Sequence, residues 1–421
     1  MFTKISIFII LTKIMYPHFI KFIIVSMVWL LLTAVFYLTI CKKISQKKLF
    51  CIAFFSVPIF FIGGFLFFKF GANYFFGGGV QKVIVWFMWL WVMTIIPFFI
   101  FIIFYWFDLL LKFIFKKDLK IKYFVGLSLN LIFLIAYLQG TYNCNELEIR
   151  SLTIEIENLP QEFDGLKIAV LGDTHLGNFA KYKKYFNQIG NAINSHNVDL
   201  LLFTGDLVNT MPKEGVPFIP FFNSLNVKYG KYAVMGNHDF CKYFDWSDEI
   251  VKETMIYNTK KMYNSCGFSL LENEYVLLEK DTLSKICIVG ADETGNLQET
   301  FKDCPSEVFK ILLIHNVKDS EIQIARNKDI GLTISGHTHA LQCAYNILGK
   351  KISPAQLLFK HWDGLYNIEN KYLFVTRGVG YAGIPVRMGL KPEVSILELR
   401  NKNKNLRILK NKISVKIKIT P

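Results

Sequence analysis

The chain has 421 residues, 52% of them hydrophobic, a mean hydropathy of +0.33 and a net charge of +15. It is long enough for more than one domain and too apolar for an ordinary soluble protein of this length. Residues 1–150 hold 15 Lys and Arg against 4 Asp and Glu, residues 400–421 hold 8 basic residues and no acidic one, and 151–399 are mildly acidic at 25 against 29; the basic surplus therefore belongs to membrane flanks and a tail, and no nucleic-acid partner is expected.

Four apolar stretches approach the roughly 20 residues that a helix needs to cross a bilayer. They lie at about 22–40, 50–68, 83–107 and 123–138, within a membrane region assigned to residues 1–145. The last is the shortest and contains Asn130. No Asp, Glu, Lys or Arg lies inside any of them. Transporters need buried charges or broken helices, so an anchor is the reading favoured over a transporter with a regulatory domain. The loops at 41–49 and 112–122 carry nine lysines, and the opposite side carries six basic residues. By the positive-inside bias, the domain that follows is expected on the extracytoplasmic side of a bacterial cytoplasmic (inner) membrane. The lipid bilayer is thus an expected partner, and the basic tail at 401–421 either faces anionic headgroups or is simply solvated.

From Leu147 onward short apolar runs alternate with amphipathic stretches, the pattern of an α/β domain, assigned to 146–400. Helices are expected over about 182–195 and 247–263. The strand-like runs end in "GDTH", "TGD", "GNHD", "IHN" and "GHTH". In open α/β sheets, ligands bind where strands give way to loops. Each ending alone has an ordinary explanation as a turn or a cap. Together they gather Asp173, His175, Asp206, Asn237, His238, Asp239, His315, His337 and His339, including five of the eight histidines. Carboxylates, neutral imidazoles and an amide oxygen suit a pair of divalent ions: a carboxylate can bridge, and the ions acidify a shared water to hydroxide. Mn, Fe and Zn all suit mixed N/O donors. The eight cysteines show no CxxC spacing, which argues against a structural zinc site; their pairing stays open.

The ordered set D-x-H, G-D, G-N-H-D, H and G-H-x-H resembles the calcineurin-like metallophosphoesterase superfamily over most of residues 150–400. The flanks "ENLPQEFDGLKIAVLGDTH" and "RGVGYAGIPVRMGLKPEVSILEL" are similar to its membrane-anchored bacterial branch. The resemblance implies two β-sheets flanked by helices, here following a bundle of about four transmembrane helices. It implies one ion on Asp173, His175, Asp206 and His339, and another on Asp206, Asn237, His315 and His337, with Asp206 bridging. His238 would face the phosphate, and Asp239 would orient His238. Relatives of this branch commonly read G-H-T-H-G-G-Q, whereas this chain has Ala340 and Leu341 after the histidines. That substitution narrows the local backbone options and bears on the shape of the substrate pocket. "ISPAQLLFKHWDGLY" is a candidate pocket wall. His361, Arg377 and Arg387 are candidates for substrate contact, each with an ordinary alternative as a packed or ion-paired residue.

The expected function is a membrane-anchored, two-metal phosphomonoesterase or phosphodiesterase using a metal-bridging hydroxide, with a lipid-linked phosphate ester among its expected substrates. The alternative is a catalytically silent metal- or partner-binding module. Loss of catalysis usually removes a ligand, and every ligand position is filled.

Overall fold

The computed structural model describes residues 122–403, except 179–182, 243–245, 247, 281–283, 292–296 and 327–329, together with parts of 100–116. The expected spans at 22–40 and 50–68 lie outside the described residues, as do most of 83–107 and of the basic tail. The expected span at 123–138 falls on a π-helical turn, Lys122–Gly126, that runs into helix α1, Leu127–Asn143. Among the described residues Phe124–Asn143 is the one stretch long and apolar enough to cross a membrane. The helix outlasts the apolar run by five residues. Its last turn is seated: the Gly140 carbonyl accepts from the Arg387 N–H at 2.8 Å and Asn143 Nδ2 donates to the Arg387 carbonyl at 3.2 Å.

The chain divides into two compact units, and Tyr137–Phe244 with Lys252–Pro421 forms the one that carries the motifs. It holds two six-stranded sheets. The first runs β1 (Glu148–Ile156), β14 (Glu393–Asn401), β2 (Leu166–Leu171), β3 (Leu200–Phe203), β4 (Lys231–Ala233) and β5 (Ser269–Leu270). The second runs β12 (Gly364–Ile368), β13 (Lys371–Val375), β9 (Ile330–Ser335), β8 (Phe309–Ile314), β7 (Lys285–Ala291) and β6 (Glu274–Glu279). The strands β2 to β5 are parallel in the first sheet, and β13, β9, β8 and β7 in the second. A separate hairpin pairs β10 (Tyr345–Ile347) with β11 (Lys350–Ile352).

The strand sequences explain the layering. Side chains alternate faces along a strand, and here both faces are covered, so the strands read as continuous apolar runs. Ile168, Val170, Leu200 and Leu202 of the first sheet meet Ile288, Ile311, Leu313, Leu332 and Ile334 of the second. Their neighbours Ala169, Leu171, Leu201 and Phe203 face outward onto α2 (Lys183–Ser195), α3 (Ile219–Asn223) and α4 (Glu249–Ser265), through Phe186, Ile193, Phe222 and Tyr263. Val289, Leu312 and Ile314 face the other way, beside α5 (Leu297–Asp303). The sulfurs of Cys287 and Cys304 meet in that outer layer. Helix α6 (Val317–Arg326) packs Val317 and Ile324 on Leu373 and Val375. Truncating one central residue such as Leu202 to alanine costs about 2–5 kcal/mol. The expected pair of sheets flanked by helices is what forms; α2, expected over about 182–195, is described over Lys183–Ser195, and α4 is displaced by two residues from the expected 247–263.

Candidate metal centre

Five parallel strands deliver the polar groups, all at their C-terminal ends. β2 is followed by Asp173 and His175, β3 by Asp206, β4 by Asn237, His238 and Asp239, β8 by His315, and β9 by His337 and His339. The chain turns sharply as it leaves these strands. Asp173, His175, Asp206, His337 and His339 have φ of 51°, 44°, 55°, 70° and 46°. Non-glycine residues seldom sit there, and such strain persists only where surrounding contacts enforce it. The enforcing contacts are visible. The His337 N–H donates to Asp173 Oδ1 at 3.0 Å, and the His238 N–H donates to Asp206 Oδ1 at 2.9 Å. At Gly336 a Cβ would stand 2.5 Å from Asp173 Oδ2 and 2.6 Å from Thr204 Oγ1, so the approach of β9 to β2 needs a glycine.

The donor atoms converge. His175 Nε2 lies 3.0 Å from His339 Nε2, and 3.7 Å from Asp206 Oδ2. His339 Nε2 lies 3.6 Å from Asp173 Oδ1. On the other side of Asp206, His315 Nε2 lies 3.4 Å from Asp206 Oδ2, 2.9 Å from Asn237 Oδ1 and 3.1 Å from His337 Nδ1. Asp206 Oδ2 is thus shared by two groups of ligands. Its partner oxygen is occupied by the His238 N–H. The Nδ1–H of His315 faces the Thr204 carbonyl at 2.8 Å, which turns Nε2 toward the site.

Electrostatics agree with a cation-binding role. Burial pulls His175 down to about 3 and His337 to about 4, and drives His339 well below its ordinary value. A neutral imidazole is the form a metal binds. Burial lifts Asp173 to about 7, reinforced by the Asp206 charge. Burial also pushes Asp206 upward, but His315, His175 and His238 outweigh it and leave Asp206 well below the usual carboxylate range. His315 is the counterpart: burial lowers it, the Asp206 and Asp173 carboxylates outweigh that, and it stands near 10. The cluster therefore draws a positive charge to itself. Bare nitrogens facing one another beside buried carboxylates fit a divalent metal ion better than they fit hydrogen bonding alone.

His238 stands beside the ligands, its ring centroid 4.5 Å from that of His175. Its Nδ1 meets the Asn209 carbonyl at 2.7 Å. That differs from the carboxylate–imidazole pair that the resemblance implies. The Asp239 carboxylate is taken up by the backbone N–H groups of Asp206, Gly236 and Val208 and by the Tyr263 hydroxyl. The physical reason is that the loop after β3 presents two N–H groups, and the loop after β4 a third, to one buried anion. Glu214 in turn accepts from the Asn209 and Thr210 N–H groups, fixing the carbonyl that orients His238. Tyr263 and Glu214 carry no signal in the sequence that links them to the site.

The three further candidates lie elsewhere. Arg377 is buried in an ion-paired cluster with Glu393, Glu148 and Asp363. His361 bonds Glu321 at 2.7 Å. Arg387 is fully buried behind the site, with Nη2 3.3 Å from His339 Nδ1, and donates to the carbonyls of Arg377, Gly378 and Gly380. Of the segment expected to wall the pocket, Phe359 brings its ring to 6.0 Å from that of His337, and the Trp362 carbonyl accepts from Thr338 Oγ1 at 2.6 Å. Ala340 and Leu341 keep the left-handed backbone, with φ of 53° and 45°, despite their side chains.

A profile of the calcineurin-like phosphoesterase family matches residues 166–341. The chain is similar to the uncharacterized metallophosphoesterase YkuE of Bacillus subtilis, with 29% identity over 263 residues, covering 61% of this chain and 87% of that one. It is similar to a zebrafish (Danio rerio) transmembrane protein with metallophosphoesterase domain, 26% identical over 268 residues, covering 60% and 57%. A metallophosphoesterase of Helicobacter pylori strain J99 is 29% identical over 265 residues, covering 61% and 65%. The match thus spans less than two thirds of the zebrafish and Helicobacter proteins.

Proposed function

We propose that this chain, a member of the calcineurin-like metallophosphoesterase superfamily and a metal-dependent phosphoric ester hydrolase, is a membrane-anchored enzyme that uses two divalent ions on lipid-linked phosphate esters. The observation that carries the two-ion reading is the sharing of Asp206 Oδ2 between His175 on one side and His315 on the other. Asp173, His175, Asp206 and His339 would hold one ion, and Asp206, Asn237, His315 and His337 the second. When bound, such a pair neutralises phosphate charge and makes water acidic enough to react near neutral pH.

The chain's own residues do the rest. The Asn209 carbonyl holds His238 by Nδ1, and the imidazole so oriented would hydrogen-bond a phosphate oxygen or pass a proton to the leaving oxygen. Asp239 acts at one remove, by fixing the backbone that carries Asp206. Membrane anchoring is supported by the apolar helix Phe124–Asn143 and by a relative that is a transmembrane protein. The loop charges support a multi-pass arrangement with the catalytic domain outside the cytoplasm.

The test is hydrolysis of p-nitrophenyl phosphate and bis-p-nitrophenyl phosphate by the full chain in detergent with added Mn²⁺, alongside metal content. Asp206→Asn is expected to lose both turnover and metal, and His238→Ala to lose turnover while keeping metal. Undiminished hydrolysis in both variants would sink the assignment. The ratio of rates on the two esters separates monoesterase from diesterase.

A further inference from the structure

An apolar surface beside the site has no part in that chemistry. In the β10–β11 hairpin Tyr345 opposes Ile352 and Ile347 opposes Lys350, so Ile347 and Ile352 share a face, and both are exposed. The two-residue turn is Leu348-Gly349, with φ of 51° and 80°. Positive φ at both positions is the type I′ geometry, where Asn, Asp and Gly are the usual occupants. Leu348 is disfavoured there by its backbone and again by its surroundings, since it is 99% exposed. Two broken local rules at one residue point to a use outside the fold.

Leu357 and Leu358 follow on the next short turn, 87% and 56% exposed. That turn is tied to the site by Ser353 Oγ, which donates to the Ala340 carbonyl at 2.9 Å. Residues 340–362 contain three lysines, Lys350, Lys351 and Lys360, and no acidic residue, and all three lysines are exposed. Lys351 is ion-paired with Asp363, and leucines flanked by Lys350 and Lys360 suit an interface between headgroups and acyl chains, where apolar tips sink and ammonium groups meet lipid phosphates.

A second observation points to the same occupant. The last turn of α1 is bonded to Arg387. The next residue, Met388, donates to the Gln342 carbonyl at 2.8 Å and accepts from the Ala344 N–H at 2.9 Å. The C-terminal end of a helix apolar enough to cross a membrane is therefore two hydrogen-bonded steps from the first residue of the hairpin.

We propose that the β10–β11 hairpin, with Leu348 at its tip and Leu357 and Leu358 beside it, docks into the surface of an anionic lipid bilayer and holds the mouth of the metal site at headgroup level. The docking rests on the membrane anchoring proposed above and is read without turnover, so the two readings fail separately.

The experiment reconstitutes the full chain into phosphatidylcholine–phosphatidylglycerol vesicles with a nitroxide at Leu348→Cys. A second label at Glu369→Cys, on the exposed β12–β13 turn, serves as the aqueous reference, and the signal of the equally treated parent chain is subtracted. Collision with oxygen, which concentrates in lipid, is compared with collision with a water-soluble nickel chelate. Oxygen is expected to dominate at position 348 and nickel at 369, and Lys350→Glu with Lys360→Glu is expected to diminish the difference. Nickel access at 348 equal to that at 369 overturns the proposal. So does exclusion of both reagents at 348 that deepens with protein density, which would mean that a second copy of the chain covers the patch. Leu348→Asp is expected to slow hydrolysis of a lipid phosphate in vesicles while sparing p-nitrophenyl phosphate. Equal loss on both substrates counts against docking as the role of Leu348.

Discussion

The backbone N–H of Asp206 donates to Oδ2 of Asp239 across 2.8 Å, so one carboxylate sets the position of the other through the main chain. The Tyr263 hydroxyl donates to the same oxygen at 2.7 Å, and burial together with the Asp206 charge lifts Asp239 to about 6. Tyr263→Phe removes one of four donors to a buried group, which costs about 1–3 kcal/mol of stability. Asp239→Ala frees three N–H groups at once and lets the strained Asp206 relax. Metal content is the discriminating readout: Tyr263→Phe is expected to keep it and Asp239→Ala to lose it. Full metal retention in Asp239→Ala would mean that other contacts hold the Asp206 loop.

Arg387 reaches His339 from behind the site. Burial lowers its guanidinium to about 10, so it remains a cation at neutral pH, and its neighbours are mainly carbonyl oxygens. Arg387→Met leaves several of these carbonyls buried and unpaired, at a cost of at least about 3 kcal/mol. Arg387→Lys does not rescue it, because an ammonium lacks the planar fork that reaches several acceptors. Since Arg387 touches His339 and not His337, metal titration of either variant is expected to show one weakened site and one near-normal site.

Ala340 and Leu341 hold a left-handed backbone that a glycine would adopt without strain. That conformation costs a residue with a Cβ about 1–2 kcal/mol, and the looser unfolded chain of a glycine variant returns part of the difference. Leu341→Gly is therefore expected to raise the thermal midpoint slightly, an unusual result for removing a leucine. Ala340→Gly is expected to gain less, because its methyl group is buried against Ala344, Ala355 and Trp362. A fall in midpoint for Leu341→Gly would show that its side chain contributes more than the strain costs.

Glu393 gives the pH dependence. It accepts from Arg377 Nε at 2.8 Å and Nη2 at 2.6 Å, from the Arg377 N–H, and from Thr376 Oγ1. Burial raises its carboxyl, but Arg377 and Arg150 outweigh that and leave it below the ordinary glutamate value. A depressed folded pKa means that the unfolded chain binds more protons in acid. The stabilisation is complete above about pH 4.3 and is lost as the pH falls through the folded value. Glu393→Gln takes one of three carboxylates from Arg377 and is expected to cost about 1–3 kcal/mol at neutral pH. Denaturation at a series of pH values checks it: the gap to the parent should close in acid, and a gap that widened would reverse the assigned sign.

Much of the site was legible as text because metal chemistry restricts residue types. Asp, His and Asn at the ends of apolar runs have few other reasons to recur in that order. The alternation of Ile168, Ala169, Val170 and Leu171 likewise implied a strand covered on both faces. The groups that hold the ligands were not legible. Tyr263 is 24 residues from Asp239 and Arg387 is 48 from His339, and neither pairing leaves a local pattern. The resemblance implies that Asp239 pairs with His238; the N–H groups of Asp206, Val208 and Gly236 and the Tyr263 hydroxyl take up that carboxylate instead. Local composition by itself determined the strands, the apolar helix and the polar residues at the strand ends, because each depends on residues near in sequence. Only the tertiary structure decided what orients them, because those are matters of distance between segments that the chain order keeps apart.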